Sequence, residues 1–145
     1  MMTLTEFETA LSTSLRTVVP QIEIGLHKVG ALAQTLAAHY PGEYQPGWAP
    51  LAESTLKDKA AKGFPVPSPL KRSGEMAASY RSEVNLAELA MVIGSPDEKA
   101  LWQEMGTSRG IPPRPVCAPA LKNSLPYAAE VFGKIAISLV TGKKP

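Results

Sequence analysis

The chain has 145 residues, of which 44% are hydrophobic and 19% are charged. This is ordinary globular composition, and the length fits a single domain over residues 1–145. The formal net charge of +2 is nearly balanced. It argues against tight nonspecific binding of nucleic acid, because such binding requires a clustered basic face. Cys117 is the single cysteine, so a disulfide within the chain is excluded, and its apolar neighbours predict a packed thiol.

The sequence has no sign of a membrane or export segment. Its N-terminus lacks a basic stretch followed by an apolar run. No stretch approaches the roughly 18 apolar residues of a membrane span. We therefore expect no membrane partner and a protein that is made in the cytosol.

The N-terminal segment has the strongest periodic pattern. Thr3 and Glu6 have the spacing of a capping box. Apolar residues then recur every three or four positions, at Leu4, Phe7, Leu11, Leu15, Val18, Ile22, Leu26, Val29, Leu32 and Leu36. They stay within a stripe roughly 120° wide even across Pro20, which predicts one long kinked helix or two nearly collinear helices. We expect one face of this segment to be buried along its whole length.

Turn formers and prolines dominate the next part of the chain. Residues 40–50 are predicted to form a loop that is anchored by packing of its aromatic side chains, Tyr40, Tyr44 and Trp48. A small-molecule pocket built from these aromatics is the less favoured alternative. A short helix over about residues 52–62 should end at Gly63, and the prolines of residues 64–69 predict a stiff connector.

A small sheet is predicted in the middle of the chain. Ser73 can cap a short helix that ends at about Ser79, and residues 80–86 and 89–93 suit two strands of a hairpin, the second more buried. Helices flank these strands without repeated strand-helix alternation. The predicted fold is therefore α+β: a small antiparallel sheet, made of the hairpin plus a further strand, packed against a long N-terminal helix and a C-terminal helix.

A helix end and a proline-rich segment follow each other closely after the hairpin. Ser95 and Pro96 have the character of an N-cap and a first helical residue, and Gly106 should end this helix. A mobile loop is expected next, followed by prolines that hold the backbone near polyproline geometry. We expect Arg114 to be presented outward from this segment, away from its own domain. Glu104, at the helix end, should bond to the backbone of the following loop or pair with an arginine.

The last helix should begin near Ala118, with a kink at Pro126. Its predicted apolar side consists of Leu121, Leu125, Ala128, Phe132, Ile135 and Leu139. Lys143 and Lys144 should end the chain in a solvated tail.

Three separated motifs cover about half of the chain. They are Gly47-Trp48-Ala49-Pro50-Leu51 with Ser54-Thr55 and Lys59; Pro69-Leu70-Lys71-Arg72-Ser73-Gly74-Glu75-Met76; and Ile93-Gly94-Ser95, Glu104-Met105-Gly106-Thr107 and Ile111-Pro112-Pro113-Arg114-Pro115. In their order and spacing they resemble the small virion morphogenesis proteins of lambda-like and Mu-like tailed phages, known as head-tail connector, neck or tail-completion proteins.

The resemblance implies a noncatalytic virion subunit that assembles in the host cytoplasm into a ring, commonly sixfold. Its implied partners are further copies of itself, the adjacent phage head-connector and tail proteins, and genomic DNA that passes through the lumen without specific recognition. A minor tail or tail-terminator protein is the first alternative, and a DNA-binding assembly factor is the second.

Ring closure by identical subunits needs two different patches on each chain. The expected contact residues are Trp48, Pro50, Leu51, Glu104, Arg109, Ile111, Pro112, Pro113, Arg114 and Pro115. Among them, Arg114 should make a two-pronged hydrogen bond to a carboxylate of the neighbouring subunit. Replacing Arg114 with alanine is then expected to weaken attachment and leave the monomer folded.

Two chemical alternatives depend on other residues. An enzyme would recruit His27, His39, Glu104 and Cys117, but no metal-ligand, nucleophile or phosphate-binding motif joins them. We predict no catalytic residue, no metal and no cofactor. A nucleic-acid platform would use Lys57, Lys59, Lys62, Lys71 and Arg72, with Phe64 for stacking. Interleaved acidic residues make a solvated helix face the better interpretation.

Overall fold

The computed structural model describes residues 1–141. Its elements are α1 (Leu4–His39), α2 (Glu53–Ala61), α3 (Glu75–Ser79), β1 (Arg81–Asn85), β2 (Ala90–Gly94), α4 (Glu98–Met105) and α5 (Cys117–Thr141). The predicted α+β class is confirmed, with a two-stranded antiparallel sheet, a long N-terminal helix and a C-terminal helix. Within residues 1–141 the sheet has no strand besides β1 and β2, so the expected further strand is not found there. The predicted tail at Lys143 and Lys144 lies outside the described residues.

Helix α1 is continuous through Pro20. Its 36 residues span about 54 Å at a rise of ~1.5 Å per residue. The predicted capping box is present. The amide of Glu6 donates to Thr3 Oγ1 at 3.2 Å, and the amide of Thr3 donates to Glu6 Oε2 at 2.7 Å. The helix start is therefore fixed by the local sequence, without tertiary contacts.

Helices α1 and α5 pack antiparallel. Near one end of the pair Asn123 Nδ2 donates to Tyr40 Oη at 2.7 Å, and near the other Ser138 Oγ donates to Gln21 Oε1 at 3.2 Å. Between them the helices approach closely at Gly25, where an added Cβ would lie 2.9 Å from Phe132 Cε1. A glycine in a helix interior normally lowers stability. Its presence here is explained by the close packing of the two helices.

The apolar side predicted for α5 is wrong in part. Leu121, Leu125 and Leu139 are 36%, 61% and 45% exposed, respectively. The buried residues of this helix are Ala120, Ser124, Ile135 and Ser138. At about 100° per residue, the packed face is rotated by roughly 80° from the predicted one. Small side chains occupy the contact because they allow the helices to approach closely, and the leucines are displaced to the flank.

The hairpin packs across α1. Its register runs from Arg81 opposite Gly94 to Asn85 opposite Ala90. Strand β2 is the more buried strand, as predicted, with only Val92 exposed. The amide of Ser82 donates to Gln34 Oε1 of α1 at 3.0 Å. This side-chain acceptor satisfies a backbone donor of β1 that the two-stranded ladder leaves free.

Two predicted caps are shifted by one or two residues. The N-cap of α4 is Asp97, whose carboxylate accepts from the amide of Lys99 at 2.9 Å, and not Ser95. The N-cap of α3 is Gly74 and not Ser73. Gly106 ends α4 as predicted, with φ of 73°. Among residues 1–141, no helix combines the length and the hydropathy needed to cross a membrane.

The core lies at the C-terminal end of α1. It consists of Ala37, Tyr40, Trp48, Tyr80, Ala100, Val116 and Ala120. The opposite end of α1 is uncovered. Leu4, Phe7, Leu11 and Leu15 are between 50% and 85% exposed, so the predicted burial of the stripe along its whole length is wrong for this part. We call residues 4–17, all of which are exposed, the N-terminal arm.

Candidate functional site

The three motif regions converge on one open cavity of about 870 Å³. Residues 50–55 form one wall, residues 64–76 a second, and α4 with the following residues to 114 a third. Its apolar lining includes Leu51, Leu70, Met76, Trp102, Ile111 and Pro112. Its charged lining consists of Lys59, Lys71, Arg72, Lys99 and Arg114 against the single carboxylate of Glu75. We call this cavity the basic groove.

Trp48 and Arg114 hold two of the walls together from the inside. The Trp48 indole Nε1 donates to the carbonyl of Pro115 at 3.1 Å. In return, Arg114 Nη2 donates to the carbonyls of Ala49 and Pro50 at 3.0 and 3.2 Å, and Arg114 Nε donates to Ala49 at 3.2 Å. The two side chains are 8% and 5% exposed. We call these bonds the Trp48–Arg114 clasp.

The expectation that Arg114 points toward a neighbouring chain is therefore wrong. The amide of Arg114 donates to the carbonyl of Gln103 at 2.6 Å, which turns the proline segment back against α4. The guanidinium then lies over the carbonyls that follow Trp48. The prolines stiffen the segment, as predicted, but stiffness does not fix its direction.

Glu104 caps the N-terminus of α5. Its Oε2 accepts from the amides of Val116 and Cys117 at 2.6 and 3.1 Å, and its Oε1 accepts from the amide of Ala118 at 3.3 Å. The first amides of a helix have no intrahelical acceptor and form its positive end, so a carboxylate is the favoured partner. Within residues 1–141, Glu104 thus bonds to the backbone and not to an arginine, but the amides belong to the start of α5 and not to the predicted loop directly after α4. The cap also makes Glu104 a structural residue of the third wall.

The loop after α4 is closed by hydrogen bonds. The amide of Thr107 donates to the carbonyl of Ile111 at 3.0 Å, and the amide of Gly110 donates to the carbonyl of Thr107 at 3.1 Å. Gly106 has φ of +73°, and an added Cβ would lie 2.9 Å from the Ile111 carbonyl oxygen, so glycine is required here. The turn places Ile111 against the groove and leaves Arg109 exposed beside it.

A buried lysine fixes the proline-rich connector. Lys59 is 3% exposed. Its Nζ donates to the carbonyl of Lys71 at 2.8 Å and also to the carbonyl of Ser68. Burial, and after it the charge of Arg72, lowers the pKa of Lys59. The charged helical neighbours of Lys59 predict a solvated face for it, and nothing in the local pattern marks it as a connector anchor.

Most of the basic residues considered for nucleic acid are neutralised within the chain. Lys57 pairs with Glu53 at 2.8 Å, and Lys62 and Arg72 both pair with Asp58. The guanidinium of Arg72 also lies 5.3 Å from the centroid of the Phe64 ring, which covers the proposed stacking side chain. Within residues 1–141, Lys71 and Lys99 line the groove without a salt bridge and are exposed.

The residues of the enzyme alternative do not assemble into a reactive group. His27 and His39 are exposed on α1. Burial, and after it the carboxylate of Glu104, raises the pKa of the Cys117 thiol to about 11. A protonated thiol is a poor nucleophile and a poor metal ligand at neutral pH. Within residues 1–141 no three His, Cys, Asp or Glu residues form a cluster that could hold a metal ion.

The aromatics of the small-molecule alternative serve in packing. Tyr40 and Trp48 belong to the core, and the hydroxyl of Tyr44 accepts from the amide of Leu51 at 3.0 Å. Tyr80 is a different case. It is 2% exposed, and its hydroxyl has no hydrogen-bond partner among the described residues. It lines a cavity of about 120 Å³ together with Glu104 and Cys117.

The predicted contact residues thus separate into three sets. Pro50, Leu51, Ile111, Pro112 and Arg114 line the groove. Trp48, Glu104 and Pro115 hold its walls through internal hydrogen bonds.

Arg109 and Pro113 are exposed and do not line the groove. Lys99 and Trp102 line the groove but are not among the contact residues predicted from the sequence. A tryptophan on the polar side of a short helix is the signal that identifies them, since Trp102 remains 46% exposed. Comparison of the chain with family models, with curated proteins and with solved structures gave no match.

Proposed function

We propose that the chain is a noncatalytic structural subunit of a tailed-phage virion, of the neck or tail-completion type. It assembles in the host cytoplasm into a ring, commonly sixfold in the family that the motifs resemble, that joins the head connector to the tail. The motif resemblance supports this proposal. Further support comes from the groove, because the three motif regions, far apart in sequence, surround it. Several motif residues hold the walls of the groove by internal hydrogen bonds, and we propose that the surface they shape is a contact surface.

One observation carries the proposal: the chain has two unlike exposed surfaces at opposite ends. The N-terminal arm is an uncovered apolar helix at the start of α1. The basic groove lies beyond the other end of α1, next to residues 41–50. Identical subunits with two different contact patches associate head to tail, and such contacts generate rings or filaments. This is the geometry that a neck or tail-completion ring requires.

The groove also supports a noncatalytic role with weak DNA contact. Within residues 1–141, its lining has apolar side chains and two lysines, Lys71 and Lys99, that form no salt bridge. The pairing of Lys57, Lys62 and Arg72 with carboxylates leaves little uncompensated charge on α2 for phosphate binding.

Deletion of this gene from the phage or prophage that encodes it tests the proposal. Electron microscopy of the lysate should show filled heads and finished tails that fail to join, and expression of the wild-type chain should restore joined particles. Normal infectious particles from the deletion strain would contradict the proposal. Unfinished tails with normal necks would instead indicate the minor tail or tail-terminator alternative.

The DNA-binding alternative has its own signature. A DNA-binding assembly factor should bind duplex DNA with an affinity that falls steeply with salt, since each neutralised phosphate releases counterions. The structural subunit should assemble without DNA and show no such dependence. A filter-binding or anisotropy titration of the full-length chain at two salt concentrations separates the two functions.

A further inference from the structure

We propose that the N-terminal arm of one copy docks in the basic groove of the next copy. The proposal rests on the proposed ring function for its biological setting and specifies how neighbouring subunits recognise each other. It commits to one occupant of the groove, a second copy of this chain.

The arm continues the face that α1 uses to build the core. At about 100° per residue, Leu4, Phe7, Leu11 and Leu15 fall within a sector of roughly 80°. The buried residues Val29, Ala33 and Tyr40 point in nearly the same direction. Helix α5 covers this face only from about Gln21 onward, as the Ser138–Gln21 bond shows. The exposed half therefore has the side-chain pattern of a packed helix.

The shapes of the two surfaces match a common mode of recognition. An amphipathic helix binds an apolar groove through anchors spaced by three, four and seven residues. Leu4, Phe7 and Leu11 have this spacing. The groove has a volume of about 870 Å³ and offers Leu51, Trp102 and Ile111 as apolar contacts. Tryptophan is one of the residue types that dominate binding energy at interfaces, and phenylalanine is enriched there.

The charges of the two surfaces are complementary. The side chains of the N-terminal arm carry the carboxylates of Glu6 and Glu8 and, at the end nearest the folded domain, the guanidinium of Arg16. The exposed lysines of the groove, Lys71 and Lys99, have no salt bridge within residues 1–141. Opposite charges at the rim orient the docking helix and favour this pairing over a pairing of two acidic arms.

The arm cannot reach the groove of its own chain. It is one continuous helix with the rest of α1, whose length is about 54 Å, and the groove lies at the far end. Docking must therefore occur between copies. Because the arm and the groove are different surfaces, each docked copy still offers a free arm and a free groove, and the contact propagates head to tail.

Two single-surface variants test the pairing. Leu11→Asp disables the arm, and Thr9→Asp is its control, because it adds the same charge on the opposite side of the same helix. Lys99→Glu combined with Trp102→Ala disables the groove. All four positions are exposed, so circular dichroism should show wild-type folding for each variant. Self-association of the full-length proteins is measured by sedimentation velocity and native mass spectrometry.

Leu11→Asp and the groove variant should each weaken self-association about tenfold or more, whereas Thr9→Asp should not. A mixture of the arm variant with the groove variant should then form 1:1 heterodimers that do not grow. In that dimer the intact arm of one chain occupies the intact groove of the other, and both remaining surfaces are disabled.

Three results would overturn the proposal. Normal self-association of the groove variant would show that arms pair with arms. Equal effects of Leu11→Asp and Thr9→Asp would exclude the apolar stripe as the contact. A wild-type chain that stays monomeric at about 1 mM would point to another partner for the arm.

Complementation of the gene deletion separates this proposal from the proposed function. If the wild-type chain restores head-tail joining but the mixed variants form no heterodimer, arm-in-groove docking fails and the neck function stands. If the deletion strain produces normal particles, the neck function fails, whatever the mixture shows.

Discussion

The side chains of Trp48 and Arg114 each donate hydrogen bonds to backbone carbonyls next to the other residue. The indole of Trp48 donates to the carbonyl that follows Arg114, and the guanidinium of Arg114 donates to the carbonyls that follow Trp48. Each side chain thereby satisfies acceptors in a segment that has no regular secondary structure. The relative position of these two walls of the groove therefore depends on both the Trp48 and the Arg114 side chains.

The clasp predicts that Arg114→Ala destabilises the monomer. The substitution removes a buried, charge-assisted donor and leaves the carbonyls of Ala49 and Pro50 without partners. We expect a loss of about 2–4 kcal/mol in the free energy of unfolding, measured by urea titration. Arg109→Ala removes the same side chain from an exposed position and should change the free energy by less than about 0.5 kcal/mol. Equal stability of Arg114→Ala and wild type would refute the clasp.

The α5 cap predicts a smaller but specific loss for Glu104→Gln. The amide side chain keeps the shape of glutamate but removes the charge that faces the positive end of α5. We expect a decrease of about 1–2 kcal/mol in the free energy of unfolding. Glu88→Gln, at an exposed position in the turn between β1 and β2, is the control and should have little effect. A wild-type unfolding midpoint for Glu104→Gln would mean that the cap does not contribute to folding.

The close approach of α1 and α5 predicts opposite effects for two glycine substitutions. At Gly25 an added Cβ would lie 2.9 Å from Phe132 Cε1, so Gly25→Ala should lower the melting temperature despite the better helix propensity of alanine. At Gly133 nothing lies within 4 Å of the added atom. Gly133→Ala should therefore stabilise the protein by about 1 kcal/mol. Thermal unfolding of both variants checks the contrast, and stabilisation by both would indicate looser helix packing.

The shifted thiol predicts a loss of stability at high pH. The pKa of Cys117 rises from an ordinary 9.0 to about 11, so between these values the unfolded chain loses the thiol proton and the folded chain keeps it. The unfolded state then binds fewer protons, and stability falls as pH rises through this window. Burial of Tyr80 raises the pKa of its hydroxyl and acts in the same direction above about pH 10.

Cys117→Ala isolates the thiol contribution. Urea midpoints measured below pH 9 and between pH 9 and 11 should show a shallower decline for this variant than for the wild type. Identical pH profiles for the two proteins would show that the thiol ionises alike in the folded and unfolded chains.

Tyr80→Phe tests a buried hydroxyl that has no partner among residues 1–141. A buried donor without a partner costs free energy, so its removal should leave stability unchanged or raise it by about 1 kcal/mol. The ring itself fills the core, and Tyr80→Ala should cost about 3–5 kcal/mol. Destabilisation by Tyr80→Phe would mean that the hydroxyl is satisfied in solution.

Predictions from the sequence are confirmed where a local pattern determines the structure. The Thr3–Glu6 capping box, the hairpin and the helix end at Gly106 all follow from residues within a few positions of each other. Where the prediction from sequence failed, packing between distant parts of the chain determines the structure. The buried positions in the first half of α5 are the small residues Ala120 and Ser124, and the predicted Leu121 and Leu125 are exposed.

The direction of a side chain is also a long-range property. The prolines around Arg114 predict a stiff segment, but the carbonyls that receive its guanidinium lie 64 and 65 positions away in the sequence. The same limit applies to the arm. Its apolar stripe predicts a buried face, and only the described ends of α1 and α5 show where that face is uncovered.

The central claim is that this chain joins phage heads to tails, and extract complementation tests it most directly. Purified full-length protein is added to a lysate of the deletion strain, and plaque-forming particles are counted against the amount added. If the chain joins heads to tails, the titre should rise from background and saturate, and joined particles should appear in the electron microscope. A titre that added protein does not change, in a lysate that already contains joined and infectious particles, would contradict the claim.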